Sequence, residues 1–265
     1  MCARRVYSFS MALSPDQLER FARNIVIPEV GGAGQVALAK AHITLVGLGG
    51  IGSPVLQYLA GAGVGHIRLI DDGDVELSNL QRQTLYTQRD IGHAKAVAAR
   101  RWLANFDSEI VVDVRDDRID RDNAAALLAD TDLVIDGTDT FATRLAVSDS
   151  CVALGVPLLS AAVGRFQGQV AAFAGHLPDQ SCYRCYVGDA FDADDCDTCA
   201  DDGMLGAMAG WAGSFAAMQA VRIILEGKAA LGDPQWGKLH MLDGLKPAMR
   251  TLNIAKDAEC RGCKH

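Results

Sequence analysis

The sequence predicts an α/β protein in which a doubly wound sheet, parallel in its N-terminal part, is extended by antiparallel strands. Three observations lead there. From Ile43 to Gly63 a short apolar run breaks into glycines and then resumes with helical spacing. Through Ser160, segments of strand and helix character alternate. Two separated C-x-x-C pairs, Cys182/Cys185 and Cys260/Cys263, tie the last third together as a tetrahedral zinc site would.

The first stretch organises the rest. Gly47, Gly49 and Gly52 carry the spacing G-x-G-x-x-G, and Gly50 sits within it. A strand-to-helix turn of this kind needs unusual dihedrals, close approach of backbone to a phosphate, and tight packing of the new helix on its strand. The helix start then offers free N–H groups to an anion. A second strand, His66 to Ile70, ends in Asp71-Asp72 about 20 residues on, where a ribose-binding acid is expected. A Rossmann-like nucleotide site is therefore expected, in preference to a tight turn that binds nothing.

Along the chain, Leu18 to Ile27 reads as a helix before Pro28, and the glycine-rich Glu29 to Gln35 as a loop. Strands are expected at 43–46 and 66–70, followed by a polar loop over Asp74 to Gln83. Ala94 to Phe106 is a helix with Lys95 in its first turn. Ile110 to Val114 is a strand, Asn123 to Ala129 a helix, and Leu133 to Ile135 a strand ending at Asp136. Phe141 to Leu154 is helical and Val156 to Ser160 extended. The order implies parallel strands with right-handed crossovers. Further strands are expected at 169–174, 238–242 and 249–254, antiparallel in the same sheet. Residues 1–13 are read as an N-terminal extension, with Met11 a second candidate initiator. Residues 14–265 form one unit, its nucleotide-binding part at about 40–160 and its remainder at about 161–265.

Composition bounds the function. Of 265 residues, 49% are hydrophobic and 22% charged, as in a soluble globular protein. The net charge of −8 disfavours general binding to nucleic acid or anionic membrane. The N-terminus lacks an apolar run long enough for a secretory signal. The most membrane-like stretch, Leu205 to Leu225, carries Gln219 and Arg222 and reads as a buried helix. A cytoplasmic location without membrane attachment is expected.

Polar residues at the carboxyl ends of the predicted strands point to ATP chemistry. Arg82 and Lys95 supply positive charge, and Asp139 supplies a carboxylate for Mg²⁺. A hydride transferase has little use for such cations. The order of these segments resembles the family of ThiF, MoeB and HesA, bacterial relatives of the ubiquitin-activating enzymes. The resemblance rests on Arg20-Phe21-Ala22-Arg23-Asn24, Gly47 to Gly52, Ser78 to Gln83, Asp136 to Asp139, Cys182 to Cys185 and Cys260 to Cys263, and it spans roughly residues 14–263.

That resemblance implies an adenylyltransferase. Using ATP and Mg²⁺, it would activate the C-terminal glycine of a ubiquitin-like sulfur carrier protein ending in Gly-Gly, in thiamine or molybdopterin biosynthesis or a related route. It implies that Gly50 and its neighbours cradle the nucleotide and that Asp71 holds the ribose. Ser78 belongs to the nucleotide-contacting segment. Asn79, Arg82 and Lys95 would contact phosphates, and Asp139 would bind Mg²⁺. Arg23 would act in trans on the partner's ATP in a homodimer. Thr140 departs from the family's asparagine at that position, putting one supporting contact in question.

The cysteines divide. Cys182, Cys185, Cys260 and Cys263 are expected to hold a structural Zn²⁺, with a redox dithiol as the rival for either pair alone. Cys199 is aligned with the family cysteine that accepts the activated carrier, although the surrounding aspartates hinder a thiolate. An acidic loop with incidental thiols is the competing reading, and Cys196 has no assigned counterpart. Cys2, Cys151 and the six histidines are expected in surface or packing roles. Because the sequence ends soon after Cys263, a separate protein is expected to donate sulfur. The rival functions are a tRNA-modifying dehydratase of the same superfamily, an NAD-dependent oxidoreductase, and a zinc-stabilised binding module without activity.

Overall fold

The computed structural model describes residues 13–188 and 203–264. Its helices are α1 (Pro15–Arg20), α2 (Ala22–Ile25), α3 (Gly31–Lys40), α4 (Gly52–Ala62), α5 (Lys95–Phe106), α6 (Ala124–Leu127), α7 (Phe141–Leu154), α8 (Tyr183–Val187) and α9 (Gly206–Ile224). Its strands are β1 (His42–Val46), β2 (His66–Ile70), β3 (Val111–Arg115), β4 (Leu133–Asp136), β5 (Leu158–Gly164), β6 (Gln167–Phe173), β7 (Lys238–Asp243) and β8 (Ala248–Asn253). They form one sheet in the order β3-β2-β1-β4-β5-β6-β7-β8. The first five are parallel, and β6, β7 and β8 continue antiparallel. The strand order reverses beside β1, between β2 and β4, which is where ligands bind in open sheets of this kind.

Burial explains the arrangement. Ile43, Leu45, Leu133, Val134 and Ile135 have no exposed surface, so β1 and β4 are covered on both faces and, apart from the buried Thr44, apolar through their middles. The membrane-like stretch is α9. It packs against α4, β5 and β6, and its buried side includes Met208, Ala212, Ala216, Ala220 and Ile223. Among the described residues no helix is long and apolar enough to cross a membrane.

Three local expectations need correction. The glycine-rich segment expected as a loop over 29–35 enters α3 at Gly31. Tertiary contacts override its weak propensity: the buried Gln35 donates to the Ala62 carbonyl at 2.9 Å, and Leu38 is buried. The helix expected over 18–27 is interrupted at Phe21 into α1 and α2, with the Phe21 side chain buried at the break. The helix expected at 123–129 is a single turn.

At the opposite end of the sheet from the strand carboxyl termini, His42 and His66 stand side by side in register, with ring centroids 5.8 Å apart. Burial lowers both pKa values below the ordinary 6.5, and for His42 the Arg68 charge and His66 add to this while Asp132 opposes it. The folded chain therefore prefers both rings neutral. The unfolded chain takes up the protons first, so stability is fully present above pH 6.5 and falls as the pH drops below it. Melting temperature followed from pH 7.5 to about 5.5 should decline less steeply in His42→Gln/His66→Gln than in the parent. An equal slope would remove this pair as the cause.

Candidate functional site

β1 ends at Val46 and the chain turns at Gly47, whose φ of +84° lies in the left-handed region that glycine alone occupies without strain. α4 then starts at Gly52. A Cβ there would stand 2.0 Å from the Gly47 carbonyl oxygen, so this position closes the turn by close packing. No side chain caps α4: the Ser53 amide donates to the Gly49 carbonyl at 3.0 Å and Pro54 has no N–H, so it is the backbone of the turn before the helix that faces the cleft. Gly47, Gly49, Gly50 and Ile51 form one wall of a cleft of about 520 Å³.

The cleft opens at the carboxyl ends of β1, β2 and β4. It gathers Asp71, Asn79, Arg82, Lys95, Asp139 and Thr140, six residues singled out in the sequence, around the glycine turn. Lys95 is the first residue of α5, an unfavourable end for a cation in the helix dipole. Its Nζ lies 3.8 Å from Asp71 Oδ1, so a fixed anion offsets that cost and holds the ammonium at the cleft. Asp71 also accepts the Leu48 amide at 2.6 Å and the Gly73 amide at 2.9 Å. Burial raises its pKa, while Lys95 and these amides oppose the rise. Each carboxylate oxygen has two lone pairs, so Asp71 can buttress the turn and still accept a hydroxyl.

The polar loop positions its members through its own hydrogen bonds. Asn79 Oδ1 accepts the Glu76 amide at 3.3 Å, and Arg82 Nη1 donates to the Ser78 carbonyl at 3.1 Å. Ser78 itself is outside the cleft lining; its hydroxyl donates to Glu76 and accepts from Asn79. Gly52 likewise lies behind the lining. Thr140 is the N-cap of α7, its Oγ1 accepting the Thr143 amide at 3.4 Å, so the departure from asparagine preserves a helix cap. Arg23, exposed on α2, is not brought into this cleft. Cys196 and Cys199 lie outside the described residues.

Sequence reasoning missed Arg144. It is buried, lines the cleft, and donates to Ser160 Oγ at 3.1 Å, to the Ala161 carbonyl at 3.0 Å and to the Thr138 carbonyl. The available signal was one arginine inside the otherwise apolar first half of a helix, a placement that burial tolerates only for a paired charge. Asp117 and Arg118, after β3, and the buried Gln83 also face the cleft and gave no signal of their own.

On the far side of α7, the sulfurs of Cys182, Cys185, Cys260 and Cys263 all lie within 4.8 Å of one another. Cys182 and Cys260 are 3.6 Å apart, Cys185 and Cys263 3.5 Å, and Cys182 and Cys185 3.9 Å. Thiolates each about 2.3 Å from a tetrahedral zinc stand about 3.8 Å apart, which these distances match. The Asp257 amide adds an N–H donor to Cys185 Sγ at 3.4 Å. The donor set suits a closed structural zinc site. Cys151, by contrast, is buried in the apolar core that includes Val147, Leu158 and Phe173, in a packing role.

The fold is shared with solved proteins. E. coli MccB crystallised with MccA-N7isoASN superposes with a TM-score of 0.78 at 20% identity, over 96% of this chain and 76% of that one. PaaA gives 0.77 at 22% identity, over 97% and 79%. Closer in sequence is the sulfur carrier protein adenylyltransferase of Thermus thermophilus, 36% identical over 96% of this chain and 93% of that protein. The SAMP-activating enzyme E1 of Haloferax volcanii is 34% identical over 96% and 92%. The adenylyltransferase and sulfurtransferase MOCS3 of Culex quinquefasciatus is 36% identical over 95% of this chain, which spans only 56% of that relative's length. The ThiF family model matches residues 21–262, and with the cleft and the cysteine cluster in one frame it shows this chain to be an enzyme of the ThiF family.

Proposed function

We propose that this chain adenylates the C-terminal glycine carboxylate of a small ubiquitin-like sulfur carrier protein ending in Gly-Gly, consuming ATP and releasing pyrophosphate. The observation that carries the proposal is the cleft in which the glycine turn before α4, Lys95, Arg82 and Asp139 face one another, in a chain alike over nearly its whole length to proteins so named. A carboxylate oxygen of the carrier attacks the α-phosphorus, and the bond from that phosphorus to the bridging oxygen breaks as pyrophosphate departs. Two anions must approach. Lys95, Arg82 and the backbone of the glycine turn offset their repulsion and stabilise the charge gathering on the leaving group. Asp71 holds the ribose and fixes Lys95, while Asn79 orients a phosphate. Mg²⁺, held by Asp139, would neutralise phosphate charge.

Arg23 lies outside its own cleft, and we assign it to the cleft of a second copy, which makes a homodimer the working unit. Residues 14–265 act as one adenylating unit, with the nucleotide held by about 40–160 and the carrier and zinc by about 161–265. After adenylation the Cys199 sulfur bonds to the carrier's terminal carbonyl carbon as a thioester while AMP leaves and the thiol proton passes to solvent, and a separate protein supplies sulfur. Cys199→Ala should therefore leave pyrophosphate–ATP exchange within about twofold of the parent while removing any covalent carrier adduct seen by mass spectrometry. Loss of exchange in a folded variant would overturn that division of labour.

The direct test is pyrophosphate–ATP exchange with Mg²⁺ and purified carriers of the thiamine and molybdopterin routes. Exchange that depends on one carrier establishes the reaction and the route together. ATP binding without exchange for any carrier would overturn the choice of substrate, and failure to bind ATP would overturn the reading of the cleft.

A further inference from the structure

Three segments meet beside the four sulfurs. α8 starts directly after Cys182 and contains Cys185, and it carries Tyr183 and Arg184 into the interior, where both are buried. Arg184 grips α7 with a bidentate fork: Nε donates to Asp149 Oδ1 at 2.7 Å and Nη2 to Oδ2 at 2.9 Å. Gly262, between the second pair of cysteines, lies flat against that fork. A Cβ there would stand 2.8 Å from Arg184 Cδ and 3.2 Å from Asp149 Oδ1.

Tyr183 makes the second grip. Its phenol faces the Arg144 guanidinium, earlier on α7, and its ring meets Phe173 edge-on at 5.9 Å. Arg144 in turn holds the floor of the cleft through Thr138, Ser160 and Ala161. It also lies 3.8 Å from Asp136 Oδ2, a fully buried oxygen with no hydrogen bond of its own. The thiols are thus joined through α8, by the Arg184–Asp149 fork and the Tyr183 phenol, to α7, and through Arg144 to the carboxyl ends of β4 and β5.

α8 has five residues, too few to hold a helix by itself. Its conformation depends on what anchors Cys182 and Cys185. We infer that the four-thiolate site is a positioning device for Arg144: bound metal fixes α8, α8 fixes Arg144, and metal and nucleotide consequently bind cooperatively. The inference rests on the reading of the cleft as a nucleotide site. Tyr183 and Arg184 are positioning residues in this scheme, since neither lines the cleft. Linkage makes the coupling reciprocal, so ATP must tighten the hold on zinc by the factor by which zinc tightens the hold on ATP.

The test uses the full chain with its zinc measured, and ATP without carrier so that nothing turns over. Chelator competition with and without saturating ATP reads zinc affinity, and equilibrium binding reads ATP affinity. We expect ATP to raise zinc affinity about tenfold. Tyr183→Phe, which keeps the ring and its packing, should retain the zinc and the melting temperature. It should weaken ATP binding by a similar factor and abolish the effect of ATP on zinc. A purely structural zinc site predicts none of these shifts. Unchanged zinc affinity in a chain that binds ATP overturns the inference, as does a Tyr183→Phe chain that keeps the coupling. A parent chain that does not bind ATP overturns the nucleotide reading itself. Should the metal-free chain unfold, competition on the holoprotein still decides.

Discussion

Asp139→Ala should lower carrier-dependent pyrophosphate–ATP exchange by about a thousandfold or more, equivalent to about 4 kcal/mol of transition-state stabilisation. Asp139 stands in the cleft, in the loop between β4 and α7, one residue before the N-cap Thr140. It is exposed and makes no contribution to the core. Losing a carboxylate from a helix N-terminus costs about 0.5 kcal/mol of stability, so the melting temperature should move by only a few degrees. The large loss arises because the residue is assigned to the metal that accompanies the phosphates, and two other carboxylates of the lining have partners of their own. Asp71 is already committed to two backbone amides and Lys95, and Glu76 to the Ser78 hydroxyl. Exchange within about tenfold of the parent in a folded Asp139→Ala chain would remove Asp139 from the metal role.

Cys260→Ser should lower the melting temperature by about 10 °C and release the C-terminal segment to protease. Cys182 and Cys260 are 78 positions apart in sequence, and fixing such a loop is worth about 4.5 kcal/mol on the chain-entropy account. Weaker ties accompany it: beyond β8, the Ile254 amide donates to the Gly237 carbonyl at 2.8 Å, Lys256 Nζ reaches the Leu177 carbonyl at 3.4 Å, and the Asp257 amide bonds to Cys185 itself. Serine keeps the size of the side chain but removes a thiolate, and a site with three soft ligands no longer closes around zinc. Limited proteolysis should therefore cut after Ile254 in Cys260→Ser and leave the parent intact. Equal resistance, with zinc still bound at one per chain, would show that three thiolates suffice and that the segment is held by packing.

The nucleotide unit was legible because each of its demands falls on local sequence. Gly47 and Gly52 announce a turn that only glycine can make and a helix that only glycine lets approach, and Asp71 follows at the distance set by one crossover. The cysteine site was legible for a similar reason, since two thiols three apart present a half-site wherever the chain places them. α3 was misread as a loop because glycine content is a weak guide once Gln35 and Leu38 find partners in the core. Arg144 escaped because its importance lies in residues from β4, β5 and α8 that converge on it from distant parts of the chain.

The sequence by itself determined the doubly wound sheet, the glycine turn, charged residues that face it and the four sulfurs. Local chemistry and spacing suffice for these, because periodicity, glycine dihedrals and ligand spacing act within a few residues. Only the tertiary structure decided that Ser78 and Gly52 stand behind the cleft, that Arg23 lies outside it, and that the metal knuckle and the cleft share α7 as a common wall. Those relations depend on which side of a buried helix each side chain leaves, and packing fixes that choice through contacts between segments far apart in sequence.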